Sequence, residues 1–112
     1  MVEVNGLKFA TSIGVLFALK ESRGHTTLQE TYKSMSTSDF DNVLDVLRVC
    51  CEQGENKHFT LSEFLALLGK HEIGFVKTTH IFKDILERVM YDGLSSEERE
   101  STKKFLMGKA PH

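Results

Sequence analysis

The sequence predicts a mainly α protein, a small bundle of about five or six helices with an N-terminal β-hairpin. Three observations point there. Asn5-Gly6 sits between two short alternating runs, Val2-Glu3-Val4 and Leu7-Lys8-Phe9. Apolar residues then recur at i, i+3 and i+4 along successive stretches. Capping residues and glycines separate those stretches at intervals that suit short helices.

The hairpin comes first. A type I′ turn needs positive φ at both central residues, which Asn-Gly supplies. A lone two-stranded hairpin is marginal in water, so it has to pack on something. Residues 13–22 predict a helix that Gly24 ends. Its apolar residues Ile13, Val15, Leu16, Phe17, Ala18 and Leu19 point nearly all round, so burial on most sides is expected. Thr26 or Thr27 then caps a short helix reaching Ser34, with Gln29 or Glu30 as the reciprocal capping partner. Ser38 is the expected cap of the next helix, with Asp39 and Asp41 set against the positive end of its dipole. Phe40, Val43, Leu44, Leu47, Cys50 and Cys51 form its stripe and Gly54 its expected stop. Thr60-Leu61-Ser62-Glu63 is a capping box, followed by a stripe of Leu61, Phe64, Leu65 and Leu68, with Gly69 as the expected end.

The longest helix is expected over residues 75–91. Its apolar positions Phe75, Val76, Ile81, Phe82, Ile85, Leu86, Val89 and Met90 span an arc of about 220°, against about 100° for an ordinary surface helix. Such an arc suits either a central helix touched on both sides by its own chain or one that offers a side to another subunit. After Gly93, Ser95-Ser96-Glu97-Glu98 opens a last helix whose apolar residues, Phe105, Leu106 and Met107, cluster at its end. A helix with so little apolar surface is marginal alone, so this segment should be mobile or ordered by a partner. The expected division is therefore a compact unit over residues 1–92 and a C-terminal helix and tail over residues 93–112.

Composition limits function. The chain has 112 residues, room for one core and not two. Fourteen basic against sixteen acidic residues leave a net charge of −2, which disfavours binding to nucleic acid through its phosphates. The longest apolar run, residues 13–19, is far short of a membrane span. Glu3 and the Lys20-Glu21-Ser22-Arg23 stretch do not fit a signal peptide. Adjacent Cys50 and Cys51 make a poor disulfide pair, and the expected setting is a reducing cytoplasm.

Chemical motifs are weak. His71-Glu72 begins a zinc-protease pattern, but the second ligand position is Phe75. Glu52, Asn56 and Glu63 fall at calcium-loop positions one, five and twelve, yet Gly54 and Lys57 stand at positions three and six. Cys50 lies in an apolar stripe and is read as a small core residue. The five histidines are scattered, and the glycines are dispersed with no phosphate-binding loop. A helix-turn-helix over residues 38–68 would place Ser62 and Glu63 at the reading end, where a carboxylate repels phosphate. No catalytic residue, cofactor or metal ligand is assigned, and the chain is expected not to be an enzyme.

The order of elements resembles another group of proteins. A Val-x-Val-Asn-Gly hairpin leads into the apolar helix Ile13-Gly14-Val15-Leu16-Phe17-Ala18-Leu19-Lys20-Glu21. Thr-Leu-Gln-Glu, Ser38-Asp39-Phe40 and Thr-Leu-Ser-Glu-Phe helix starts follow, then a long apolar helix and a charged tail. Over residues 1–92 this layout resembles the tail assembly chaperones of long-tailed bacteriophages of Gram-positive bacteria. The resemblance implies a non-enzymatic protein of the host-cell cytoplasm that self-associates into spirals or rings. It also implies coating of a tape-measure protein and guidance of tail-tube protein onto it. It implies the short form of a pair whose longer form arises by frameshifting. Phe75, Ile81, Ile85, Val89, Phe105, Leu106 and Met107 are the expected protein-interaction residues, with ordinary core packing as the competing role. The alternative function is a small helical adaptor or regulator that binds another protein.

Overall fold

The computed structural model describes residues 1–37 and 39–91, together with Glu97, Glu98, Glu100, Ser101 and Lys104. Strands β1 (Val2–Val4) and β2 (Leu7–Phe9) pair antiparallel, with Val2 opposite Phe9 and Val4 opposite Leu7. Asn5 and Gly6 take φ of 52° and 85°, the left-handed pair that a type I′ turn requires. Five helices follow among the described residues: α1 (Gly14–Arg23), α2 (Leu28–Met35), α3 (Phe40–Glu55), α4 (Leu61–Lys70) and α5 (Phe75–Tyr91). The fold is thus mainly α with an N-terminal hairpin, as the sequence predicts. Glu97, Glu98, Glu100, Ser101 and Lys104 are helical, and the remainder of the expected last helix lies outside the described residues.

Helix α3 is the centre. It touches β2 and all four other helices. Val43, Leu44, Val46, Leu47, Val49, Cys50 and Cys51 are all buried along it. Burying each Val or Leu side chain contributes roughly 1.5–3 kcal/mol, so this helix organises most of the core. The hairpin answers its own need for a support by lying on the C-terminal half of α3. Ala10 N–H donates to the Cys50 carbonyl at 2.9 Å, and Lys8 N–H donates to Glu55 Oε2 at 2.8 Å.

That docking corrects the role expected of Gly54. The helix continues through Gly54 to Glu55, and Asn56 at φ 54° closes it. A Cβ at residue 54 would stand 2.4 Å from the Lys8 carbonyl oxygen, so glycine is there to let the β2 backbone approach. Gly69 is likewise inside α4 and not its stop. The left-handed residue is Glu72, φ 57°, and Ile73 N–H reaches back to the Leu68 carbonyl at 2.9 Å. Glu72 N–H also donates to the Gly69 carbonyl at 3.1 Å, completing a Schellman turn with buried Ile73 as its apolar anchor.

Other caps follow the sequence more closely. Gly24 ends α1 in the left-handed region. Thr27, and not Thr26, caps α2 by accepting from Glu30 N–H. Thr60 and Glu63 form the reciprocal capping box of α4. Asp39 occupies the N-cap position of α3, without a side-chain capping bond; Ser38 lies outside the described residues. Helix α1 departs from expectation: Val15, Leu16 and Leu19 are buried, but Ile13 and Phe17 are exposed, so the helix buries one face only.

Polar links close the bundle. Arg23 at the end of α1 donates to Asp45 Oδ2 at 2.8 Å, Asn42 Oδ1 at 2.7 Å and Ser34 Oγ at 2.7 Å. Arg48 bridges the other Asp45 oxygen at 3.0 Å and Glu52 at 3.3 Å. Phe59 N–H donates to Glu52 Oε2 at 2.8 Å, carrying the chain of contacts into the loop before α4. Burial opposes ionisation of Asp45, but the hydrogen bonds and charges of Arg23 and Arg48 outweigh it and hold its carboxyl below the usual range.

Candidate protein-interaction surface

Helix α5 carries most of the residues expected at an interface, and the fold divides them. Thr78, Ile81, Phe82 and Ile85 are buried, and Leu86 and Val89 are half-buried against the same core. Projected at 100° per residue, these six share one side of the helix. Ile81 and Ile85 therefore belong to the interior of the single chain, and the interface role expected of them gives way to packing. Val89 packs partly against the core. Val76 points to the opposite side of α5 and is 65% exposed. Phe75 lies at the helix start, beyond the packed stretch, and is 64% exposed. Its ring meets Phe40 of α3, with centroids 4.6 Å apart and planes at 37°. Phe105, Leu106 and Met107 lie outside the described residues.

A second exposed apolar region lies on α4. Phe64 and Leu68 are buried, whereas Leu61 and Leu65 remain 49% and 45% exposed. Ala66 and Gly69 are exposed beside them. The sequence places Leu61 and Leu65 in one stripe with Phe64 and Leu68, and so hides this face. The distinguishing signal is angular. Positions 64 and 68 centre on one side, while 61 and 65 stand at its edge and continue into Ser62, Ala66 and Gly69.

The turn between α4 and α5 is tied to the hairpin. Asn5 Nδ2 donates to the His71 carbonyl at 2.9 Å, and His71 Nδ1 lies 2.8 Å from the Asn5 carbonyl. A carbonyl only accepts, so Nδ1 carries the proton in this bond. Lys77 Nζ donates to Asn5 Oδ1 at 3.1 Å. These bonds fix the start of α5, and with it Phe75 and Val76, relative to the hairpin.

Chemical groups elsewhere are committed to structure. Burial pushes the Cys50 thiol well up, and Cys51 beside it adds to the effect. Burial, with Glu55 and Glu52 nearby, pushes Cys51 up to about 12. Both stay protonated at neutral pH, so they pack and do not attack. An open cleft of about 290 Å³ is lined by Ala18, Val49, Glu52, Gln53, Asn56, Lys57 and His58. Its carboxylate, Glu52, already binds Arg48 and Phe59 N–H, with His58 Nδ1 at 3.4 Å. Among the described residues no group of three or more His, Cys, Asp or Glu could hold a metal, and no helix is long and apolar enough to cross a membrane.

The fold and surface define a helical protein with a hairpin-braced core and uncovered apolar residues on α4 and at the head of α5. No family model, curated protein or solved structure matches the chain.

Proposed function

We propose that this chain acts by binding protein, as a non-enzymatic assembly chaperone of the phage tail type that covers apolar stripes of a long helical tape-measure client. The observation that carries this reading is the exposure of Phe75 and Val76, at 64% and 65%, at the head of a helix whose later turns are packed on the core. Exposed aromatic and branched residues adjoining a rigid core suit an apolar client helix. Their position is fixed by the His71–Asn5–Lys77 bonds, so little ordering is needed on binding. Shielding the client keeps it soluble until tail-tube protein surrounds it.

The test is co-expression with the tape-measure protein of a long-tailed phage of Gram-positive bacteria. The client should be soluble with the native chain and aggregate with the Phe75→Ser/Val76→Ser double variant, which removes the Phe75–Phe40 ring contact but no buried side chain. Equal client solubility with and without the native chain would refute the proposal. Capture of a host enzyme in place of the client would instead support the adaptor alternative.

A further inference from the structure

The exposed face of α4 has a layout that matches a copy of itself. On a projection at 100° per residue, the outward positions span about 200° of the helix. Leu61 and Leu65 lie on one flank, Ser62, Ala66 and Gly69 along the middle, and Glu63 and Lys70 on the other flank. Phe64 and Leu68 hold the opposite side to the core. A Cβ at Gly69 would meet nothing within 4 Å, so none of the described residues covers that end of the middle strip.

We propose that this face is the contact between two copies of the chain, with α4 packed antiparallel to α4 of the partner subunit across a two-fold axis near Ala66. The symmetry makes the case. A two-fold axis perpendicular to the helix pair brings like flank to like flank with direction reversed. Leu65 then meets the partner's Leu65, with Leu61 at the outer end of the same flank. On the other flank the first turn of one helix meets the last turn of the other, so Glu63 faces the partner's Lys70, twice over. A parallel two-fold pairing would instead set the charged flank of each copy against the leucine flank of the other. The small residues Ser62, Ala66 and Gly69 let the two backbones approach closely.

The charges are placed for this use. Glu63 Oε1 accepts from Thr60 N–H at 2.9 Å, which anchors the carboxylate and leaves Oε2 for a second donor. Among the ion pairs of the described residues, none involves Lys70. An open groove of about 270 Å³, lined by Lys57, Phe59, Glu63, Ala66, Leu67 and Lys70, runs beside the charged flank, with Lys57 near enough to Glu63 to favour its charged form. One ten-residue helix offers less area than a permanent dimer needs, so the pair should be weak, with Kd on the order of 10–100 µM.

This inference deepens the protein-binding reading by naming a second copy as the occupant of one face, while the client surface at Phe75 and Val76 is separate. Sedimentation equilibrium of the full chain from low to high micromolar concentration should show a monomer–dimer equilibrium. Lys70→Glu should weaken it about tenfold or more by setting acid against acid, and Lys70→Arg, which keeps the charge, should leave it intact. Ala66→Cys should cross-link under mild oxidation, whereas Lys83→Cys on the exposed side of α5 should not. A strict monomer throughout, or a dimer indifferent to Lys70→Glu, overturns the α4 pairing. Either result leaves the client test intact, since client solubility is read with α4 unchanged.

Discussion

Helices α3 and α4 are neighbours in sequence and opposites in use. Leu61, Phe64, Leu65, Ala66, Leu67 and Leu68 make six of the ten residues of α4 apolar, a larger share than in α3. Yet α3 buries seven side chains and α4 buries Phe64 and Leu68. The difference lies in their neighbours. Strand β2 and helices α1, α2 and α5 close around α3, while α4 is laid against it along one side. Apolar content shows how much surface a helix has to hide. Topology decides how much of that surface the same chain can hide, and the remainder is available to other proteins.

The largest break in this contrast is expected at Gly54. Replacing it by valine drives a side chain into the Lys8 carbonyl, where backbone and not a flexible side-chain tip must give way. The expected cost is about 4 kcal/mol, read as a lower urea midpoint with loss of the hairpin's amide protection. Leu47, fully buried on α3, comes next. Leu47→Ala should cost about 3 kcal/mol by removing contacts and leaving a cavity.

Asp45→Asn should cost less, about 1–2 kcal/mol, because its side chain keeps 33% of its surface exposed and water screens the loss. Its pH signature is specific. The folded pKa lies below the reference value of 3.8, so the stabilisation is present above that value and lost as pH falls through the lower folded one. The gap between native chain and Asp45→Asn should therefore be full near neutral pH and close on acidification. A gap that persists at about pH 2 would show that Asp45 acts through packing and not through its charge.

Much of this contrast can be read from residue types, and the rest cannot, for physical reasons. The hairpin turn, the Thr60–Glu63 box and the glycine end of α1 are local, and a few neighbouring residues determine them. Gly54 and Gly69 are misread as stops because a glycine in a helix has two meanings. A close approach from β2, distant in sequence, selects the second meaning at Gly54. At the end of α4 the left-handed position is held by Glu72, a residue with no glycine signal, and buried Ile73 fixes the turn. The Arg23–Asp45–Arg48–Glu52 chain joins helices whose packing no local pattern specifies. Thr78 is buried on the inner side of α5 because its hydroxyl donates to the Phe75 carbonyl at 2.6 Å, which lets a polar residue occupy a core position. Of the candidate interface, Phe75 is legible as an apolar residue at a helix start, while Ile81 and Ile85 share its arc and go inward. The α4 face is hidden by its own regularity, since one stripe contains both buried and exposed leucines.

The smallest expected effects sharpen the contrast most, because they compare the same change in two settings. Gly69→Ala adds a Cβ that meets nothing, in a helix whose φ alanine prefers. It should stabilise the monomer by about 0.5–1 kcal/mol, opposite in sign to the response at Gly54. Leu65→Ala removes the same atoms as Leu47→Ala from a side chain that stays 45% exposed. Measured at a concentration low enough to keep the chain monomeric, it should cost about 0.5 kcal/mol, a small fraction of the Leu47 value. Comparable losses at Leu47 and Leu65 would mean that α4 is covered within the single chain, and the division between a helix that builds the core and a helix that meets other proteins would fail.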